Sequence, residues 1–326
     1  MYFQKEGYKI LNRSTNTLIF RSFDLQRDLV ALVSLLKDID QADRTGEGIT
    51  EAAIHEQITW TGQDPALNNW VVALPESDSL VGYGSIQKSS NDDNADLNIA
   101  VHPSWRRQGI GCQLFMRILE RAYELDAQAM RVYANAQNEG AGLFVRKLGF
   151  EPVSTYTRLS VSDRQNFPAP VLPQGFTTHS YDQIQRVDLY TEALNRSYEG
   201  LWGHLQSKPE DVARWLPQLN HAGIFLLFAS DGTIAGTCRA ELSEHLLEER
   251  GVPTALIDAP GIIPEYRNAD LYLPLLLTTI HWLLPQGPAI YEMESWGDAP
   301  ETLALYRSLG FSLLKEEISY RRELVY

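Results

Sequence analysis

Apolar and polar residues alternate along this chain in two patterns, which predict a series of strands and helices. Alternation with period two predicts a strand over 96–101, because Leu97, Ile99 and Val101 share one face. Apolar residues spaced by three and four predict an amphipathic helix over 109–125. In order, the first half is predicted to contain strand 17–20, helix 25–39, strands 69–74 and 80–87, strand 96–101, helix 109–125, strand 130–134 and helix 140–148.

The second half repeats this order of elements. A hairpin around Asp231-Gly232 is followed by a strand, a helix, a strand and a helix. The predicted ranges are strands 224–228, 234–241 and 255–259, helix 271–284, strand 290–295 and helix 301–309. Hairpins followed by strand–helix–strand–helix predict an α+β fold in each half, with a central mixed, mostly antiparallel sheet flanked by helices.

Short motifs recur at one fixed spacing, which indicates an internal duplication. Pro103 and Pro264 are 161 positions apart, and so are Arg106 and Arg267. At 326 residues the chain also exceeds the size at which one hydrophobic core stops growing. A proline-rich stretch between the copies is typical of a stiff connector. The predicted parts are a first domain over 1–161, a linker over 162–174 and a second domain over 175–326.

The composition excludes several classes of protein. A net charge of −14 argues against a nucleic-acid partner, and it favours a cationic acceptor unless the charge serves solubility alone. No apolar run reaches the roughly 18 residues of a membrane span, and the start lacks the pattern of a signal peptide. Two distant cysteines match no metal spacing, so we expect a cytoplasmic protein without a metal, either a monomer or a homodimer.

The most informative segment is Arg-Arg-Gln-Gly-Ile-Gly at 106–111, between a predicted strand and a predicted helix. A helix start offers unpaired N–H groups and a positive dipole end, which together suit a phosphate. Gly109 and Gly111 remove side chains, so that a diphosphate can approach the backbone, although turn geometry alone explains them as well. Position 114 is leucine and no Gly-Lys-Ser/Thr follows, which excludes a dinucleotide fingerprint and a P-loop.

The run Val-His-Pro-x-x-Arg-x-x-Gly-x-Gly-x-x-Leu at 101–114 resembles the acyl-CoA signature of the GNAT superfamily, and the match continues through Asn138 to Leu-Gly-Phe at 148–150. The resemblance is strong in the first half and weaker in the second, so it implies a tandem duplication of the GNAT fold. It implies an acetyl-CoA-dependent N-acetyltransferase, in which the amine of a small acceptor attacks the acetyl group directly. The residues that it assigns to acetyl-CoA are Val101, Arg106, Arg107, Gln108, Gly109, Ile110, Gly111, Cys112 and Asn138.

The resemblance also implies what these residues do. The backbone amides of 107–112 would cradle the diphosphate of CoA. Main-chain groups near Val101 would hold the pantetheine arm and polarise the thioester carbonyl. Asn138 corresponds to a position that contacts the CoA arm.

Several residues are candidates for proton transfer. Many family members carry a tyrosine acid three residues before Leu-Gly-Phe, and this position holds Val145 in the first half and Tyr306 in the second. Asp96 is a candidate base on the polar face of its strand, although a solvated face explains it as well. Glu47 is a further candidate, on the acceptor side. His102 is another, although ring packing or exposure beside Pro103 explains it better. In the first half the acid is then a water, another residue such as Tyr133, or dispensable.

The second half departs from the signature. Asp270 and Tyr272 replace the two glycines, where a carboxylate would repel a diphosphate and a ring would fill its path. Tyr306 is then better explained as a packed helix residue than as an acid. The aromatic segment 198–204, which includes Glu199, either binds a cationic acceptor or forms part of a core. These departures leave open an alternative function, a non-catalytic tandem GNAT protein that binds CoA as a sensor or scaffold. A less favoured option is a catalytic second half with an altered acyl donor.

Overall fold

A computed structural model describes residues 18–43, 49–59, 64–75, 77, 79–89, 92–162, 166–202, 204 and 206–326. The described residues form two compact units. Unit 1 contains the described residues up to Ala134, together with Asn138–Pro152 and Tyr320–Tyr326. Unit 2 contains Asn135–Gln137 and the described residues of Val153–Ser319. The division of the sequence at the linker 162–174 stays a prediction.

The part of the chain before residue 163 begins with antiparallel strands and ends with a strand–helix–strand series. Its elements are β1 (Ile19–Ser22), α1 (Leu25–Asp43), α2 (Glu51–Thr59), α3 (Pro65–Asn68), β2 (Asn69–Ala73), β3 (Leu80–Gln87), β4 (Asn94–Val101), α4 (Ile110–Glu124), β5 (Ala129–Asn135), α5 (Glu139–Lys147) and β6 (Glu151–Ser162). In unit 1 the strand order is β1-β2-β3-β4-β5, with β4 and β5 parallel and the other pairs antiparallel.

Helices cover both faces of the unit 1 sheet. Alternate residues of a strand point to opposite faces, so Val71 of β2 packs with Leu32 of α1, whereas Val72 packs with Leu114 of α4. A Cβ atom on Gly84 of β3 would lie 3.3 Å from the Cβ atom of Leu114. The missing side chain therefore lets α4 lie close to the sheet.

The part of the chain after residue 165 repeats the same series. Its elements are β7 (Thr177–Ser180), α6 (Tyr181–Ile184), α7 (Val187–Ser197), α8 (Pro209–Trp215), β8 (Ile224–Phe228), β9 (Ile234–Leu242), α9 (Glu244–Arg250), β10 (Thr254–Asp258), β11 (Gly261–Ile262), α10 (Tyr272–Leu283), β12 (Ile290–Trp296), α11 (Pro300–Ser308) and β13 (Ser312–Glu323). In unit 2 the strand order is β6-β12-β10-β9-β8-β7, and β11 also pairs with β9.

The apolar helix α10 forms the centre of the unit 2 core. The predicted helix over 271–284 is confirmed, and Leu275, Leu276 and Ile280 are fully buried there. Within the described ranges, no helix combines the length and the apolar character that crossing a membrane requires.

The predicted α+β fold is confirmed, with boundaries that shift by a few residues. The helix predicted over 109–125 spans Ile110–Glu124, and the strand predicted over 96–101 begins two residues earlier. Helix α1 continues past the predicted end at residue 39 to Asp43. The internal repeat is also visible in the structure. A short 3₁₀ turn follows β4 at Pro103–Trp105, and another follows β11 at Pro264–Tyr266.

Candidate functional site

In unit 1, the parallel strands β4 and β5 separate halfway along their length. Only Asn94 to Asp96 of β4 pair with β5, although β4 continues to Val101. The opposite edge of β4 stays paired with β3 as far as Val101 and Gly82. The edge of β4 beyond Asp96 therefore presents backbone groups that, within the described range 92–162, no strand of unit 1 pairs with. An extended polar ligand can bind such an edge as an added strand would.

The turn that follows β4 is held by the side chain of Arg106. Its Nε donates a hydrogen bond to the carbonyl oxygen of Val101 at 3.1 Å. Its two terminal nitrogens lie 2.8 and 2.7 Å from the carboxylate oxygens of Asp43, at the end of α1. In unit 2, Arg267 repeats the first of these bonds, with its Nε 3.0 Å from the carbonyl oxygen of Ile262. Both arginines thus close the same turn.

The start of α4 is open and has no side-chain cap. Gly109 precedes the helix with a φ of +85°, a left-handed conformation that glycine adopts without strain. A Cβ atom there would meet nothing within 4 Å. The first amide that donates back into the helix is that of Gln113, at 3.1 Å from the Gly109 carbonyl oxygen. By helix geometry the amides of Ile110, Gly111 and Cys112 point out of this end, where an anion can accept hydrogen bonds from them.

The second glycine of the motif has a packing function as well. A Cβ atom on Gly111 would lie 3.0 Å from the ring of Phe144. A larger residue would push the ring, or the start of α4, away from its place. Close approach of a ligand and close packing against α5 therefore both favour glycine at this position.

The two arginines of the motif differ in what they can offer a ligand. Arg106 is occupied by Asp43 and Val101, as described above. Arg107 is exposed, has a positive φ of 64°, and makes no hydrogen bond with the residues that the structure describes. Arg107 is thus the cation of this turn that remains available to a phosphate, whereas Arg106 builds the turn.

Asp96 lies at the point where β4 and β5 separate, and it is bound in an ion pair. Its two carboxylate oxygens each lie 2.7 Å from a nitrogen of Arg131 on β5, which also contacts Asp92 at 2.7 Å. Burial alone would lower the pKa of Arg131, but hydrogen bonding to Asp96 and the charges of both carboxylates raise it. Both oxygens of the Asp96 carboxylate are therefore already engaged by a guanidinium.

His102 is engaged as well. Its Nδ1 accepts a hydrogen bond from the amide of Ser104 at 3.2 Å. In the neutral ring the proton must therefore sit on Nε2, which lies 4.0 Å from the Asp38 carboxylate. Neither nitrogen is left as a free proton acceptor in this arrangement.

Three further positions singled out in the first half of the sequence are Asn138, Val145 and Glu47. Asn138 precedes α5, and its side-chain oxygen accepts the amide of Ala141 at 3.1 Å, which leaves the side-chain NH₂ group for a ligand. Val145 is buried in α5, and its side chain has no proton to donate. Glu47 lies outside the described residues.

In unit 2, the corresponding turn is closed by its own side chains. Asp270 stands where Gly109 stands in unit 1, and it keeps a left-handed φ of 55°. Strand β10 pairs with β12 over five residues, from Thr254 to Asp258, so these strands separate later than β4 and β5. The ring of Tyr198 lies 2.8 Å from where a Cβ atom of Gly261 would be, and its hydroxyl donates to the Ala259 carbonyl oxygen at 3.0 Å. Tyr198 therefore covers the end of the strand that stays open in unit 1.

Tyr306 is buried in unit 2 and donates a hydrogen bond to Asp298. Its hydroxyl oxygen lies 3.3 Å from a carboxylate oxygen of Asp298, which also accepts the hydroxyl of Ser295 at 2.8 Å. Burial raises the pKa of Tyr306 well above its usual value, and the charge of Asp298 raises it further. Burial also raises the pKa of Asp298. A tyrosine in this position holds its proton firmly.

The residues that sequence patterns did not single out are the partners of the predicted ones. Asp43 binds the side chain of Arg106, and Arg131 binds that of Asp96, so both candidates are already engaged. Each partner lies far from its candidate along the chain. Complementary charge was the one signal that could have suggested these pairs. It is a weak signal, because the chain has 42 acidic and 28 basic residues to combine.

Comparison with known proteins agrees with this geometry. A family model described as an acetyltransferase (GNAT) domain matches residues 66–152, which include the open turn and α4. Among curated proteins, a mycothiol acetyltransferase of Rhodococcus erythropolis is 24% identical over 258 residues, covering 76% of this chain and 83% of the relative. A mycothiol acetyltransferase of Rhodococcus jostii is 23% identical over 299 residues, covering 89% and 93%.

Solved structures resemble the fold along nearly the whole chain. A GCN5-related N-acetyltransferase from Sphaerobacter thermophilus has a TM-score of 0.74 at 20% identity, covering 94% of this chain and 95% of that one. A tandem GNAT protein from the clavulanic acid biosynthesis pathway has a TM-score of 0.65 at 18% identity, covering 94% and 98%. At these identities the likeness extends to the fold.

Proposed function

Because this chain belongs to the GNAT superfamily and is an acyltransferase, we propose that unit 1 binds acetyl-CoA at its open turn and transfers the acetyl group to the amine of a small acceptor. The observation that carries this proposal is the uncapped start of α4 behind Gly109, beside the unpaired edge of β4. Both features occur together in unit 1. In unit 2 the corresponding turn carries Asp270, and Tyr198 covers the corresponding strand end.

The turn binds the diphosphate through its backbone. The amides of Ile110, Gly111 and Cys112 donate hydrogen bonds to it, and the positive end of the α4 dipole favours its charge. Arg107 adds a cation from the exposed side of the turn. This local positive field matters because the whole chain carries a net charge of −14, which by itself would repel an anionic nucleotide.

The open edge of β4 orients the acyl end of the ligand. Acetyl-CoA, when bound, supplies an acetyl group activated as a thioester. Backbone groups of β4 between Leu97 and Val101 hold the arm that leads to it, and an amide of this edge polarises the thioester carbonyl. Arg106 keeps the Val101 carbonyl oxygen in place through its hydrogen bond. Holding both substrates in line supplies much of the rate, because it removes the entropy cost of their encounter.

The acceptor amine must lose a proton during transfer, and we assign this step to Glu47. Asp96 and His102 were the other candidates, and both are engaged with neighbouring groups. Since Val145 cannot protonate the leaving thiolate, we propose that solvent does so. Asp96 instead has a structural role, because its pair with Arg131 links β4 to β5 beside the opening.

We expect Glu47→Gln to lower kcat by about 10²-fold and to remove the acidic limb of the pH–rate profile, because a lost general base typically costs that much. Asp96→Asn is the matched control. It should keep kcat and the pH profile, and lower the free energy of unfolding by about 1 to 2 kcal/mol through loss of charged hydrogen bonds. Steady-state kinetics from pH 5 to 9 and thermal unfolding distinguish the two. A loss of the acidic limb in Asp96→Asn would instead make Asp96 the base.

The acceptor is a small molecule, and we propose a primary amine. The relatives are named mycothiol acetyltransferases, so their acceptor is one candidate. The acidic surface favours cationic amines, because a negative field draws cations toward the protein.

Turnover tests this function directly. Acetyl-CoA is incubated with the protein and with aliphatic amines, polyamines, amino sugars and the acceptor of the relatives, and release of free CoA thiol is followed by absorbance. We expect thiol release that depends on the amine, and an acetylated amine detected by mass spectrometry. Binding of acetyl-CoA by calorimetry without amine-dependent release would contradict the transfer function and support a sensor.

A further inference from the structure

Unit 2 contains a cavity of about 350 Å³ that the proposed acetyl transfer does not use. Its volume lies at the lower end of the roughly 300 to 1,000 Å³ typical of small-molecule sites. The cavity lies between α7, α8 and the strands β9 and β10. The side chains that line it include Tyr190, Tyr198, Trp215, Leu219, Arg239 and Asp258.

One part of the cavity wall is aromatic. The rings of Tyr190 and Trp215 meet edge to face with their centroids 6.2 Å apart. The Tyr198 ring lines the same cavity, and its hydroxyl is held by the Ala259 carbonyl oxygen. His204 also lines the cavity, and burial lowers its pKa, so it is neutral near pH 7. These surfaces favour an apolar or aromatic group over a charged one, unless the charge has a partner.

The other part of the wall is a single ion pair. Nε of Arg239 lies 2.7 Å from one carboxylate oxygen of Asp258, and one terminal nitrogen lies 3.2 Å from the other. The second terminal nitrogen of Arg239 makes no hydrogen bond with any residue that the structure describes. Both side chains remain partly exposed, at 29% for Arg239 and 42% for Asp258. Each member of the pair can therefore take a further partner from the cavity.

We propose that this cavity binds an amino-acid zwitterion with an apolar side chain, independently of acetyl-CoA. The ligand ammonium binds Asp258, the ligand carboxylate binds Arg239, and the side chain contacts Tyr190, Tyr198 and Trp215. A ligand with one charge gains little, because its attraction to one member of the pair is offset by repulsion from the other. A ligand that carries both charges gains from both members.

The site does not transfer acetyl groups. Tyr198, which lines the cavity, also covers the strand end at Gly261, so the strand edge that is open in unit 1 is closed here. Asp270 in the neighbouring turn disfavours a diphosphate. The proposal therefore adds a binding function to unit 2. This function can be tested independently of acetyl transfer in unit 1.

A matched set of three ligands tests the proposal by calorimetry on the full chain. L-Phenylalanine carries both charges, phenethylamine lacks the carboxylate, and 3-phenylpropionate lacks the amine. We expect L-phenylalanine to bind with one site per chain. The other two ligands should bind at least about tenfold more weakly, because each is attracted by one member of the ion pair and repelled by the other. Equal binding of phenethylamine or 3-phenylpropionate, or no binding of L-phenylalanine at millimolar concentration, would overturn the zwitterion assignment.

Two variants separate this site from unit 1. Leu219→Trp fills the cavity without touching the ion pair, and we expect it to abolish L-phenylalanine binding while acetyl-CoA still binds. Gly109→Asp lies in unit 1 and should leave L-phenylalanine binding unchanged. Arg239→Met is a further test, read only alongside its unfolding curve, because the ion pair also joins β9 to β10. Retained affinity in Leu219→Trp, or lost affinity in Gly109→Asp, would place the ligand elsewhere.

Discussion

Replacing Gly109 with aspartate is expected to weaken acetyl-CoA binding by about 10² to 10³-fold. The substitution places in unit 1 the residue that Asp270 provides in unit 2, at a position with the same left-handed backbone. A carboxylate about 4 Å from a phosphate charge costs about 4 kcal/mol at an effective dielectric constant near 20. Calorimetry with acetyl-CoA measures the loss, and thermal unfolding shows that the variant is folded.

Gly109→Asn is the matched control for this prediction. Asparagine has the same size as aspartate and tolerates the left-handed region about as well, so both variants carry the same backbone strain. A Cβ atom at this position meets nothing within 4 Å, so neither side chain is forced against its neighbours. We expect Gly109→Asn to lose less than about tenfold in affinity. If both variants bind acetyl-CoA as tightly as the unaltered chain does, the diphosphate does not bind at this turn.

Arg106→Gln is expected to weaken acetyl-CoA binding by about 10- to 100-fold, although Arg106 need not touch the ligand. The variant loses the bidentate pair with Asp43 and the hydrogen bond to the Val101 carbonyl oxygen. Hydrogen bonds to charged groups are worth about 1.5 to 3 kcal/mol each, so the turn loses much of its order. A turn that must be ordered on binding binds more weakly.

Arg267→Gln provides the control within the same chain. It removes the corresponding bond to the Ile262 carbonyl oxygen in unit 2. We expect its unfolding temperature to fall about as much as that of Arg106→Gln, with acetyl-CoA affinity unchanged. Equal losses of affinity in both variants would show that general destabilisation, rather than the turn of unit 1, accounts for the effect.

The sequence carries enough local information to predict the elements and the open turn. A period near 3.6 marks α4, alternation marks β4, and the glycines between them mark a turn that other residues would strain or fill. The turns of the two halves could be compared from the sequence as well, because the same local patterns mark both. Asp270 and Tyr272 change the local chemistry of a turn whose position the repeat already defines.

The parts that local patterns could not supply depend on contacts between distant residues. The resemblance assigned Arg106 to acetyl-CoA, and only the fold shows that Asp43, 63 residues earlier, binds its guanidinium. Asp96 lies on a polar strand face, and only its register with Arg131 on β5 shows that the carboxylate is already paired. Whether a charged group is free depends on packing that no local pattern records.

The sequence also did not predict which chain segments belong to each unit. The last residues, Tyr320–Tyr326, belong to unit 1, where the amide of Leu324 donates to the Gln128 carbonyl oxygen at 2.9 Å and the Tyr326 hydroxyl to that of Ala127 at 2.7 Å. Val153 to Ser162 of β6 belong to unit 2, where Tyr156 to Ser162 pair with β12. The repeat spacing defines a duplicated sequence, but it does not say which sheet each final strand joins.

A crystal structure with acetyl-CoA bound tests the central claim most directly. We expect one nucleotide per chain, with its diphosphate on the amides of Ile110, Gly111 and Cys112 and its acyl arm along β4 beyond Asp96. Density for the diphosphate beside Asp270 in unit 2, with the unit 1 turn empty, would contradict the account.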